Sequence, residues 1–209
     1  MYVSLLNYSP SFQVIDFDGP SLVVLPSPLL EEVSEIEIKI YGKGETFHLD
    51  KAYKTIVLYR SLDEVGSEKA RQILKECFAS LLPGGTLYVG ANNRFGLSFL
   101  AGVKEEGQEL FANVEKANLF SRQRLQKAIK EAGFEDIFFY YPFPSLDRGL
   151  TVYSDDNLPS SGSLTNVSGA LGQDRYVFFS EEKAFNAEGG SEDFPLIANS
   201  FLVMGRKRA

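Results

Sequence analysis

The stretch from Thr55 to Val89 constrains the fold more than any other part of the chain. Thr55-Ile56-Val57-Leu58-Tyr59 is an almost unbroken β-branched and apolar run, which suits a strand covered on both faces. A helix is expected over about Ser67 to Leu82, because Ala70, Ile73, Leu74, Cys77, Phe78, Leu81 and Leu82 fall on one stripe at helical spacing. Ser67 is its expected N-cap, Glu68 complements the helix dipole, and Pro83-Gly84-Gly85 is the expected stop. The β-prone run Thr86-Leu87-Tyr88-Val89 comes next. Strand, helix and strand with tight joins make a βαβ unit, whose two strands are parallel.

A second helix is expected from about Arg122 to Ala132, with Leu125, Ala128, Ile129 and Ala132 on one side. Ser121 caps it, Phe120 staples onto Leu125, and Gly133 supplies the C-terminal turn. An aromatic strand from Ile137 to Tyr141 is ended by Pro142 and Pro144, and a last strand runs from Ser200 to Met204 after Phe194-Pro195-Leu196-Ile197. The N-terminal part reads as strands at Phe12–Phe17, Leu22–Leu25 and Ile36–Tyr41, with only Pro28 to Val33 available for a helical turn or two. Alternation from Glu35 to Lys39 marks a strand with one wet face, as at a sheet edge. Ser154 to Gly172 is rich in Ser, Asn, Asp and Gly and reads as a long surface loop within one domain spanning residues 1–209.

The net charge of -7 and pI near 4.9 argue against nucleic acid and membrane surfaces as partners, since both bind clustered Lys and Arg. The one basic cluster, Arg206-Lys207-Arg208, reads as a solvated tail. A single His48 and a single Cys77 exclude a His- or Cys-rich metal centre and an internal disulfide. No Gly-x-Ser-x-Gly elbow is present to pair with His48, which reads as a strand-end or turn residue. Met1 to Pro10 has no basic segment followed by an apolar one, and no apolar run approaches the ~18 residues that span a bilayer. A cytoplasmic location is the expectation.

Several motifs resemble one family. Tyr53 to Val65 looks like the fourth strand and following turn of a class I S-adenosylmethionine (SAM) methyltransferase, and Leu81-Leu82-Pro83-Gly84-Gly85-Thr86-Leu87 looks like the lead into its fifth strand. Asn93-Arg94-Phe95-Gly96-Leu97, Ala101-Gly102, Phe120-Ser121, Ala132-Gly133-Phe134, Tyr141-Pro142-Phe143-Pro144, Ser154-Asp155, Leu158-Pro159 and Asn199-Ser200-Phe201-Leu202 resemble a bacterial subgroup associated with glycan-polymer biosynthesis. The resemblance covers about three quarters of the chain in order. It implies an α/β, Rossmann-like fold: a mostly parallel seven-stranded sheet with its last strand inserted antiparallel and ligand beyond the carboxyl ends of the strands.

The resemblance also implies SAM as cofactor, yet the ligand side departs from the pattern. The first turn would be Val24-Leu25-Pro26-Ser27-Pro28, with no glycine and two prolines that remove amide donors. The second strand ends at Ile40-Tyr41-Gly42-Lys43 without the acid that would accept from ribose hydroxyls; Glu45 and Asp50 are the nearest. Asn92 stands where the subgroup implies Glu, and Val103 to Gln108 lacks the expected histidine. Two explanations stand: a fold kept after cofactor binding was lost, or a first strand at Val14–Phe17 followed by Asp18-Gly19-Pro20.

Candidate cofactor-binding residues are Pro26, Ser27, Asp50, Tyr59, Arg60 and Ser61; candidate substrate residues are Asn92, Asn93 and Arg94. Arg60 and Arg94 suit an anionic group, and Tyr59 suits a base or sugar. No catalytic residue stands out. The expected function is a methyltransferase-like accessory subunit with a degenerate SAM site, or no cofactor at all, working with a protein partner or as a homo-oligomer. The alternative is a divergent active enzyme acting on a small molecule, glycan or peptide precursor.

Overall fold

A computed structural model describes residues 10–25, 36–41, 46–63, 65–101, 120–160, 162–164, 179–188 and 192–209. Seven strands form one sheet: β1 (Ser21–Leu25), β2 (Ile36–Ile40), β3 (Tyr53–Tyr59), β4 (Leu81–Asn92), β5 (Glu135–Phe143), β6 (Thr151–Ser154) and β7 (Ser200–Arg206), in the order β2-β1-β3-β4-β7-β5-β6. β1 is parallel to β2 and β3, and β3 to β4; β7 is antiparallel to both β4 and β5, and β6 to β5. The first five strands therefore share one direction, and β7 is inserted against it as the resemblance implies.

Five helices among the described residues are α1 (Ser67–Ser80), α2 (Leu97–Leu100), α3 (Arg122–Glu131), α4 (Glu181–Glu188) and α5 (Phe194–Ile197). The apolar stripe of α1 buries Ala70, Ile73, Leu74 and Cys77, and α3 buries Leu125, Ala128 and Ile129 in the same core. Each fully buried Leu or Ile there stabilises the fold by ~1.5–3 kcal/mol. The opposite sheet face carries a smaller core, in which Phe12, Ile15 and Leu146 pack on Val23, Val57, Tyr59, Tyr88 and Leu202.

Several local expectations change. Phe12–Phe17 is not a strand: Pro10–Val14 is a 3-10 helix, closed by the Ile15 amide donating to the Phe12 carbonyl at 3.1 Å. This coil turns Phe12 and Ile15 together onto the sheet. The N-cap of α1 is Gly66 rather than Ser67, and no side chain caps it. The helix also stops before Pro83-Gly84-Gly85. Leu81 already belongs to β4, and the Pro-Gly-Gly triplet forms a bulge in which the register jumps from Tyr53↔Leu81 to Thr55↔Thr86. A Cβ on Gly85 would lie 2.8 Å from the Leu82 carbonyl and 3.0 Å from the Lys54 carbonyl, so only glycine fits.

Pro142 does not end β5; it pairs with Val152, at a point where β5 has already passed its last pairing with β7 at Tyr140. The expected surface loop from Ser154 contains the end of β6, and residues 161 and 165–178 lie outside the described residues. So does the stretch Pro28 to Val33, where a helical turn was expected. Edge strand β2 has Ile36 buried and Glu37 exposed, as its alternation implies. Among the described residues only β1 and β2 precede the strand that the resemblance makes fourth, and no helix lies between β2 and β3. The seventh strand is supplied instead by β6, at the opposite edge.

The missing stop of α1 is provided from far along the chain. Lys207 donates from Nζ to the Phe78 and Leu81 carbonyls, both at 2.7 Å, and its ammonium lies 4.8 Å from the Phe78 ring centre. A cation there also complements the negative end of the helix. Replacing it (Lys207→Met) is expected to lower stability by about 1–3 kcal/mol, read as a lower urea midpoint with an unchanged slope.

Candidate functional site

β1 pairs with β2 on one side and β3 on the other, so the crevice where ligands bind in such sheets lies beyond the carboxyl ends of β1 and β3. Both ends are closed by the chain itself. Ser61 donates to the Val24 carbonyl at 2.9 Å, bridging β3 to β1, and the Tyr41 amide donates to the Leu25 carbonyl at 2.9 Å. Val24 and Leu25 are fully buried. Tyr41, at the end of β2, is only 4% exposed and packs edge-on against Phe47, with Lys69 over its ring.

Arg60 takes the left-handed backbone conformation, φ 57°, which an L-residue adopts at a cost. It points its guanidinium at two carboxylates: Asp63, 3.7 Å away, and Asp147, at 3.0 Å. Asp63 is buried and accepts from the Asn92 amide at 3.2 and 3.3 Å, tying the end of β4 to the turn after β3. Asp147 also takes the Tyr59 hydroxyl, at 2.8 Å, while the Leu146 carbonyl lies 3.1 Å from the same hydroxyl and accepts from Ser11.

The sequence-derived candidates thus separate. Arg60, Ser61 and Asn92 do come together, joined through Asp63. Pro26 and Ser27 lie outside the described residues. Asp50 is corrected: it is exposed before the start of β3, at the amino ends of the strands, where with Glu37 it surrounds Tyr53. The loop out of β2 returns the chain to the far end of the sheet before Asp50 is reached. Tyr59 is corrected too, because its ring is fully buried, stacked on Phe12 at 5.1 Å, and has no face left for a base or sugar.

Asn93 proves to be a structural clamp. Its Nδ2 donates to the Leu196 and Ala198 carbonyls at 2.8 and 2.7 Å, and its Oδ1 accepts from the Phe95 amide at 3.1 Å. Asn199 answers it, accepting from the Ser98 amide at 2.8 Å and donating to the Pro144 carbonyl at 2.9 Å. Gly96 lets the two turns meet, since a Cβ there would lie 2.9 Å from Asn199 Cα. Arg94 is half-buried and its amide donates to Phe120 at 3.0 Å, locking β4 to the start of α3.

Sequence reasoning missed Asp63 and Asp147 as partners of Arg60. The spacing of Arg60 and Asp63, three apart in a turn, was a usable signal; nothing in the sequence linked residue 147 to residue 60. A second network was also missed. Arg122, the first residue of α3, donates to the Tyr141 hydroxyl at 3.0 Å and to both oxygens of Asp155 at 2.9 and 3.1 Å, and it stacks 4.5 Å from the centre of the Phe139 ring. Tyr141 donates in turn to Asp155. Burial, then this bond to Asp155, pushes the Tyr141 pKa up despite the adjacent Arg122.

A SAM site of this fold would set a carboxylate at the end of the second strand; Tyr41, the last described residue there, has a buried ring, and Glu45 lies outside the described residues. Such a site also needs free polar groups at the end of β3, where Arg60, Ser61 and Asp63 are bound to one another and to the rest of the chain. Among the described residues no group of three or more His, Cys, Asp or Glu could hold a metal, and no helix is long and apolar enough to cross a membrane.

No family model and no curated protein matches the chain in sequence. Solved structures do match in shape. A SAM-dependent methyltransferase from Thermotoga maritima, a possible histamine N-methyltransferase, is 15% identical, with TM-score 0.54 over 99% of this chain and 89% of its own. A SAM-dependent methyltransferase from Archaeoglobus fulgidus is 11% identical, with TM-score 0.51 over 98% and 92%. A complex between the Haloferax volcanii Trm112 methyltransferase activator and the putative methyltransferase gives 10% identity and TM-score 0.52 over 100% and 90%. At these identities the likeness establishes the fold, which is the Rossmann-like class I methyltransferase fold.

Two measurements test the roles assigned above. Asn93→Ala removes three side-chain hydrogen bonds, one buried and two part-buried, and should cost about 2–4 kcal/mol in urea unfolding; an unchanged midpoint would return Asn93 to the substrate-binding class. Burial, with Glu37 and Asp50, raises Tyr53 to about 12, and Lys51 is raised chiefly by its hydrogen bond to Glu37. The native state thus holds protons that the unfolded chain releases near pH ~10. Stability should be full below that pH and fall as it rises toward 12, and Tyr53→Phe should flatten the fall.

Proposed function

We propose that this chain is a methyltransferase-like protein that does not turn over SAM and serves as a partner subunit in a biosynthetic assembly. The observation that carries the reading is Tyr41: a buried aromatic ring stands where ribose hydroxyls need an acceptor. The internal closure of Ser61 on Val24 supports it, because a donor bound within the chain is lost to a ligand. The partner role draws support from the shape likeness to a structure containing a methyltransferase activator. The glycan-polymer setting rests on the motif resemblance alone.

The reading takes residues 1–209 as one domain, in keeping with a single sheet that runs from β1 to β7. It places the protein in the cytoplasm, which suits a chain whose one cysteine is reduced and buried. A divergent enzyme acting on a small molecule, glycan or peptide precursor is the competing reading, favoured by the polar cluster of Arg60, Asp63 and Asn92 at the carboxyl ends. Thermal denaturation with SAM and with its demethylated product separates the two. A ligand of ~10 μM Kd at ~1 mM would add about 2.7 kcal/mol and raise the midpoint by several degrees. The expected result is a shift below about 1 °C for both, and a micromolar Kd would overturn the proposal. Size-exclusion and capture from the native host test the partner role, which a monomer retaining nothing would contradict.

A further inference from the structure

The segment joining β5 to β6 is not a tight hairpin. From Pro144 to Leu150 it reaches back across β7 and β4 to β3, and each step is held: Pro144 by Asn199, Leu146 by Ser11 and Tyr59, Asp147 by Tyr59 and Arg60. The Leu146 side chain lies over Gly90, where a Cβ would come within 3.0 Å of it. The floor under the strap is partly polar. Ser200 follows Asn199, shares the face of Leu202 by strand alternation, and pairs across the ladder with Asn92. Its hydroxyl is fully buried and has no hydrogen-bond partner. Burying an unmade hydroxyl costs ~1–3 kcal/mol, so the covered arrangement is not optimal for its own floor.

We propose that residues 144–150 are a gating strap over the carboxyl end of β4, with Asp147 as its latch. Asp147 is 46% exposed, and an ion pair so open to solvent holds only weakly. Leu146 is the buried hinge end and Asp147 the releasable one. When the latch opens, the Ser200 hydroxyl becomes a floor for a neutral hydrogen-bonding group, since a hydroxyl both donates and accepts. This half of the crevice is separate from the β1–β2 half that Tyr41 closes, so the strap and the SAM reading succeed or fail independently.

A thiol placed on the floor by Ser200→Cys reads the gate. Cys77, fully buried on the core face of α1, is the internal control for global unfolding. With a thiol-labelling reagent on the intact chain, Asp147→Ala is expected to speed labelling at position 200 by about tenfold, the effect of losing roughly 1.4 kcal/mol of latch, while Cys77 labels no faster. Equal labelling at position 200 with and without Asp147, or labelling that tracks Cys77, would overturn the gate. Should Ser200→Cys fail to fold, amide exchange decides. The Leu150 amide, which donates to Phe143 at 2.8 Å, should exchange about tenfold faster in Asp147→Asn than in the unaltered chain, against unchanged exchange in β4; equal rates would overturn the proposal.

Discussion

The insertion of β7 between β4 and β5 is the contact on which the rest depends. Seven residue pairs join β7 to β4, and on its other side it carries β5 and, through it, β6. Without it the sheet would be two separate pieces. Its approach is fixed by the paired asparagines, Asn93 leaving β4 and Asn199 entering β7, whose side chains satisfy the turns at both strand ends. Its departure is fixed by Lys207 at the end of α1. One antiparallel strand thus aligns the sheet, the two packing helices and the ends where a ligand would bind.

At those ends polar side chains are plentiful, but their hydrogen-bonding capacity is used within the chain. Ser61 holds β1, Asp63 holds β4, and Arg60 holds both Asp63 and Asp147. A catalytic site of this fold would keep such groups aimed outward at the cost of stability. Here Arg60, Ser61 and Asp63 stabilise the closure of the sheet, whereas the buried hydroxyl of Ser200 has no hydrogen-bond partner.

The helices and central strands were legible in the sequence because burial imposes a period on them: three and four in α1 and α3, continuous apolar character in β3. The edge character of β2 was legible from its alternation. Phe12–Phe17 misled because a short apolar run has no period long enough to tell a strand from a coil, and only its contact with the sheet face decides. At the site, Arg60, Ser61 and Asn92 were found from their place at strand ends, but the same rule picked Asn93, whose amide is spent on Leu196 and Ala198. Asp147 was hidden because its partners are 87 and 88 residues away in the chain, and no local pattern encodes so distant a contact.

Lys207 has a consequence for how the molecule assembles. α1 is complete in sequence by Ser80, yet the cation that satisfies its last carbonyls arrives 127 residues afterwards. During synthesis from the amino end, the βαβ unit must wait with those carbonyls bound to water and the flank of β4 bare. The middle of the chain is therefore provisional until its final strand emerges, and chaperone dependence or nicking by proteases should concentrate in that interval.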